Sequence, residues 1–105
     1  MDGRVKVEGD RLVEHTICIG RVCRSKAGRD KGKYFLVKEI VDEQFVLIVD
    51  GAAHKIASPK RKRIKHLECR GDVAEAIAAK LKEGAKVFDA EINSALKSLG
   101  YDENR

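Results

Sequence analysis

The chain is poor in several things, and each scarcity excludes something. Only five of its 105 residues are aromatic, three Phe and two Tyr. That is thin material for reading RNA bases by stacking them on exposed rings. No apolar run approaches the roughly 20 residues that cross a bilayer, so no membrane partner is expected. The opening MDGRVKVEGDRLVEH is too charged for a signal peptide, which makes a soluble, cytoplasmic protein the expectation. Cysteine numbers three, and an odd count in so short a chain argues against a secreted disulfide framework. Internal repeats and low-complexity segments are missing. So are a Ser-His-Asp order, a Walker phosphate loop and a Rossmann glycine pattern. His15 and His54 have no carboxylate or nucleophile at useful spacing. An enzyme is therefore not expected, nor is a cofactor or a small-molecule substrate.

What the chain has in quantity is charge, unevenly placed. Lys and Arg outnumber Asp and Glu 22 to 17, for a net +5. Residues 20–71 carry fourteen basic and six acidic side chains, whereas the segments before and after them are slightly acidic. Within the basic middle the cations cluster twice. One group is Arg21, Arg24, Lys26, Arg29, Lys31 and Lys33; the other is Lys60, Arg61, Lys62, Arg63 and Lys65. That distribution suggests one binding surface for an anionic partner.

Patterning predicts a mainly β fold. TICIGRVCR (16–24) is rich in β-branched residues and reads as a strand, and SKAGRDKG (25–32) as a polar loop. KYFLVKEIV (33–41) and QFVLIVD (44–50) are two further strands joined by a tight hairpin at Asp42-Glu43. Asp50-Gly51 is a two-residue hairpin signal of type I′, after which AAHKIAS reads as a fourth strand, ended by Pro59. RIKHLEC (63–69) reads as a fifth. Phe35 and Phe45 fall inside hydrophobic runs and read as core, which leaves Tyr34 as the one candidate stacking platform. A brief strand at Val5–Val7 is conceivable, but residues 1–15 read as a mobile lead-in.

The chain then becomes helical. DVAEAIAAKLKE (72–83) sets Val73, Ile77 and Leu81 on one face, with Asp72 and Glu75 at capping-box spacing and Gly84 as the stop. DAEINSALKSL (89–99) aligns Ile92, Leu96 and Leu99, with Asp89 as N-cap and Gly100 as the stop; Phe88 is expected to dock on the core. Five short strands followed by two helices suit a small five-stranded barrel, residues 16–70, with a helical tail, residues 71–105, packing on its open side.

The loop between the first two strands has its own chemistry. Its ends are pinned by the sheet, Gly28 and Gly32 let the backbone approach a ligand, and Arg24, Lys26, Arg29, Lys31 and Lys33 surround them. Amides and cations converging on one track suit a phosphate backbone. GRVCRSKAGRDKGKYFLVKEI, residues 20–40, resembles the KOW motif: a strand, a glycine-centred basic turn and a hydrophobic strand. More broadly, GRVC, AGRDKG, FVLIVDG and KRKRIKHLE occur in the order seen in archaeal and eukaryotic large-subunit ribosomal protein fourteen. The bacterial ribosomal-protein-like KOW group is similar too. The resemblance implies an SH3-like barrel that binds RNA, ribosomal RNA above all, and associates with the ribosome or its proteins. By position it implies RNA contacts from Lys26, Arg29 and Lys31 around Gly32, and a second strip from Lys60 to Lys65. Gly20 and Asp50-Gly51 match the family's strand-opening glycine and later turn.

If 63–69 is a strand, Arg63 and Lys65 share one face and Ile64 takes the other, with Lys60, Arg61 and Lys62 in the preceding loop. Both strips then line one side of the barrel. Cys18, Cys23, His66 and Cys69 are chemically competent zinc ligands. An unbroken strand, however, sends Cys18 and Cys23 to opposite faces, so the cysteines read as buried and inert and no metal is expected. The acidic tail disfavours a DNA-reading helix-turn-helix. The competing reading is a transcription- or translation-associated protein-interaction module built on the barrel and its tail.

Overall fold

The runs dense in Val, Ile, Leu and Phe become strands whose two faces are both covered. A computed structural model describes residues 15–101; the lead-in and the Val5–Val7 strand reading fall outside the described residues, apart from His15. The strands are β1 (Arg21–Ser25), β2 (Tyr34–Ile40), β3 (Phe45–Val49), β4 (Lys60–Arg63) and β5 (Leu67–Val73). A single 3-10 turn, Ile64–His66, separates β4 from β5, and helices α1 (Glu75–Glu83) and α2 (Asp89–Ser98) follow. All pairings are antiparallel, in the order β4-β3-β2-β1-β5. The architecture is thus mainly β with two C-terminal helices, as expected. The ladder does not close, because β4 and β5 remain edge strands.

Alternation along the central strands builds two cores. Val22, Leu36 and Val49 face one way and meet Ile77, Val87, Ile92 and Leu96 from the helical tail. Cys23, Phe35, Val37, Val46, Ile48 and Leu67 face the other way, with Ile17, Ile64 and Cys69 packed at the margin. Each fully buried aliphatic or aromatic side chain here contributes roughly 1.5–3 kcal/mol. Register shifts fall between Arg21 and Cys23 in β1–β5 and between Val37 and Glu39 in β2–β3, and such irregularities bend a sheet locally.

The helices approach the sheet at two glycines. A Cβ on Gly20 would lie 2.6 Å from the Cβ of Ala78 in α1, and one on Gly51 would strike the backbone oxygen of Asp89 in α2. Both have positive φ, 88° and 77°. The resemblance matches these two positions to a strand-opening glycine and a later turn, and at both a side chain would collide with the helical tail.

Several local expectations need correction. The first strand starts only at Arg21, because Arg21 N–H turns back to the Cys18 carbonyl (3.1 Å) and Gly20 takes positive φ. Asp50-Gly51 is not a type I′ turn, since no described residue other than glycine has positive φ. Residues 52–58 form no strand because their backbone bonds go elsewhere. The Asp50 carboxylate accepts from the Ala52 and His54 amides, both at 2.9 Å, and Asp89 accepts from the Ile56 amide at 2.8 Å. The fourth strand is instead the basic run after Pro59, and the fifth begins at Leu67. Asp72 lies within β5, one residue before its end, and accepts a hydrogen bond from the Tyr101 hydroxyl rather than capping α1, whose N-cap is Ala74. Phe88 occupies the N-cap of α2 in place of Asp89, and it is exposed, beneath Lys86. Glu91 accepts the Phe88 amide (3.1 Å) and Lys80 (2.8 Å), which hold its carboxyl below the usual range.

Candidate nucleic-acid interface

The β1–β2 loop is a closed, self-bonded structure. Ser25 N–H donates to the Lys33 carbonyl at 2.9 Å and Gly32 N–H to the Ser25 carbonyl at 2.8 Å. Lys31 and Lys33 N–H donate inward to the Gly28 and Asp30 carbonyls, at 3.1 and 2.9 Å. Gly28 and Gly32, at φ 82° and 88°, supply the two reversals.

Three neighbours then fix the loop from outside. Lys26 N–H donates to the His66 carbonyl at 2.8 Å, and Lys62 Nζ donates to the Ala27 carbonyl at 3.1 Å. Asp30, itself buried, holds His54 Nε2 at 3.1 Å, and His54 in turn packs against the Phe35 ring. With the backbone thus fixed, Lys26, Gly28, Arg29 and Lys31 are exposed, and Gly32 and Lys33 half-buried. An anion meeting this loop meets cations whose backbone is already ordered, which reduces the entropy lost on binding.

The second basic group is organised differently from the sequence expectation. Its cations lie in β4, so alternation runs through Lys60, Arg61, Lys62 and Arg63 themselves. Lys62, opposite Val46, is buried and turned to the loop. Arg61 and Arg63 are exposed and cover the half-buried Phe45 ring at 4.2 and 4.9 Å from its centroid. Phe45 is therefore a platform for two guanidiniums rather than a core residue. Lys60 is half-buried, and Lys65 is exposed on the 3-10 turn. Lys62 thus ties the second group to the loop by a hydrogen bond.

Other cations are engaged. Arg24 pairs with Glu68 at 3.6 Å, and Glu68 also faces Arg70 at 3.8 Å. Arg21 donates to the carbonyls of Thr16, Arg70 and Gly71. Tyr34 is not a free stacking platform: Tyr101 packs at 4.8 Å between ring centroids and Arg70 lies over the ring at 5.6 Å. The Tyr34 hydroxyl accepts from Arg70 at 3.3 Å, a contact that holds the guanidinium even more firmly protonated. Burial and the Asp72 carboxylate, 2.6 Å from its hydroxyl, push the Tyr101 phenol up to about 12.

Sequence reasoning missed Asp30, His54 and Glu68. The first two are 24 residues apart and acquire a role only where the β3–β4 loop folds back on the β1–β2 loop. The register pairing Arg24 with Glu68 supplies the third. Among the described residues no three His, Cys, Asp or Glu side chains gather as a metal set. No helix among them is long and apolar enough to cross a membrane.

A bent five-stranded sheet, backed by two helices and bearing a prefolded loop with exposed cations, defines a small mainly β protein. No family model matches the chain. Relatives do. It is 32% identical over 85 residues to the large ribosomal subunit protein eL14 of Staphylothermus marinus, covering 81% of each chain. It is also 32% identical to the eL14 of Hyperthermus butylicus, over 78% of this chain and 76% of that one. With the eL14 of Desulfurococcus amylolyticus it shares 36% over 50 residues, 48% of this chain and 52% of the relative. The chain belongs to the large ribosomal subunit protein eL14 family, a family of ribosomal proteins and not of enzymes.

Proposed function

We propose that this protein is a non-catalytic RNA-binding component of the translation apparatus, cytoplasmic and ribosome-associated, whose partner is ribosomal RNA. The prefolded β1–β2 loop carries the reading: Lys26, Arg29 and Lys31 project from a backbone tied down by Lys62, His66 and the Asp30–His54 contact. Its exposed cations are the primary phosphate contacts, with the half-buried Lys33 at the rim and Gly28 and Gly32 admitting the RNA backbone. Arg61, Arg63 and Lys65 extend the contact, and Lys60 lies at its edge. Arg24 and Lys62 belong to the same surface by position, one balanced by Glu68 and the other supporting the loop. Recognition is by shape and phosphate, since Tyr34 is engaged by Tyr101 and Arg70 and the exposed Phe88 stands on the helical tail.

The test is charge reversal at the loop tip. The triple variant Lys26→Glu, Arg29→Glu, Lys31→Glu should bind ribosomal RNA fragments on the order of 10- to 100-fold more weakly. The slope of log affinity against log salt should flatten by about 2, at roughly 0.7–0.9 per phosphate contact. Thermal unfolding should stay near wild type, because the three side chains are exposed. Unchanged affinity in the triple variant would remove the loop from the interface.

A further inference from the structure

Cys23 and Cys69 lie 46 residues apart in sequence but face each other directly across the β1–β5 ladder, with their Sγ atoms 3.5 Å apart. Directly opposed residues of an antiparallel pair have Cα atoms about 4.5–5.5 Å apart, inside the roughly 4.4–6.8 Å that a disulfide spans. Bringing the sulfurs to bonding distance, near 2.0 Å, then needs side-chain rotation more than backbone movement. The two thiols differ in access. Cys23 is fully buried, whereas Cys69 is half-buried at the margin of the core, on an edge strand. Cys18, also half-buried, is the third thiol of the chain.

We infer that Cys23 and Cys69 form a thiol-oxidation site, closed into an intrachain disulfide by a low-molecular-weight disulfide such as oxidised glutathione. The steps balance. The Cys69 thiol loses its proton to solvent, and its thiolate attacks one glutathione sulfur and expels a glutathione thiolate. Cys23 Sγ then loses its proton and attacks Cys69 Sγ in the mixed disulfide, expelling the second glutathione thiolate. Two protein thiols are oxidised and one glutathione disulfide is reduced to two thiols. The hydrogen bond with Cys69 and burial hold the Cys23 thiol protonated in the reduced protein, which leaves the more accessible Cys69 as the first thiol to react. The bond would fasten edge strand β5 to β1 beside the base of the basic loop, where Leu67 is opposite Ser25 and Lys26 N–H meets the His66 carbonyl.

The full chain, folded and reduced, is incubated with oxidised glutathione at mildly alkaline pH and then acid-quenched. The expected product is a monomer lighter by two hydrogens, with one free thiol where there were three. Peptide mapping should join the segments holding Cys23 and Cys69, and dithiothreitol should restore all three thiols. Closing a loop of this length should raise the unfolding midpoint by on the order of 10 °C. Cys18→Ser should form the same bond and be left with no free thiol. Cys69→Ser, which spares the buried position, should stay folded and form no intrachain bond. A crosslink through Cys18, a covalent dimer, a stable glutathione adduct on Cys69, or three thiols still free after treatment would each overturn the site.

Discussion

The two basic segments look alike in sequence and behave differently in the fold. Residues 24–33 make a closed loop whose tip carries three exposed cations over an ordered backbone. Residues 60–65 are mostly a strand, and strand alternation divides them. Lys62 turns inward and holds the loop, while Arg61 and Arg63 turn outward onto Phe45. The count of positive charges is therefore a poor guide to their work. A lysine whose ammonium is spent on a backbone carbonyl supports an interface without needing to touch the ligand.

That contrast can be broken most forcefully at Lys62. Replacement by Met keeps the buried aliphatic stem and removes only the ammonium, leaving the Ala27 carbonyl without this donor. A loss of about 1–2 kcal/mol in chemical denaturation is expected, with faster amide exchange across residues 27–32. RNA affinity should fall as a consequence of the looser loop. If affinity falls while loop exchange stays at the wild-type rate, Lys62 is a direct contact and the division between the segments disappears.

A smaller effect is expected on the outer face. The double variant Arg61→Ala, Arg63→Ala uncovers Phe45 and should cost about 1 kcal/mol of stability, the sum of two partly exposed cation–π contacts. It should also reduce the salt slope of RNA binding by roughly 1–2 while leaving loop exchange untouched. A slope equal to wild type would confine the interface to the β1–β2 loop.

The smallest effect lies outside both segments and serves as a control. Tyr101 has its folded-state ionisation raised from 10 to about 12, chiefly by burial and then by Asp72. The unfolded chain loses this proton first, so the contribution is complete below about pH 10 and fades as pH rises toward 12. Tyr101→Phe should lose that part of the alkaline decline, and ultraviolet difference titration should show one late-titrating tyrosinate vanish. RNA binding near neutral pH should be unaltered, because Tyr101→Phe changes no charge there and keeps the ring that packs on Tyr34.

Much of the fold was legible because its signals are local. Hydrophobic density marked β2 and β3, the polar glycine-containing segment marked the loop, and Gly84 and Gly100 marked the helix ends. Three of the errors share one cause. Asp50, Asp72 and Asp89 have the right chemistry for turns and caps, but their carboxylates serve other partners: the Ala52 and His54 amides, Tyr101 and the Ile56 amide. Residues 52–58 have strand-like composition, yet their backbone groups bond to Asp50, Gly51 and Asp89 instead of a ladder partner. Phe45 reads as core because it lies in an apolar run, and only the opposing Arg61 and Arg63 show which face it takes.

The sequence by itself determined the strand-rich middle, the helical tail, the position of the basic loop and the surplus of positive charge at 20–71. These follow from side-chain periodicity, glycine placement and charge, all of which act over a few residues. Only the tertiary structure decided which cations are exposed and which are spent. The Lys62–Ala27, Asp30–His54, Arg24–Glu68 and Cys23–Cys69 contacts join residues 24 to 46 positions apart. Sheet register, set by packing on both faces, brings such pairs together. No local preference along the chain encodes it.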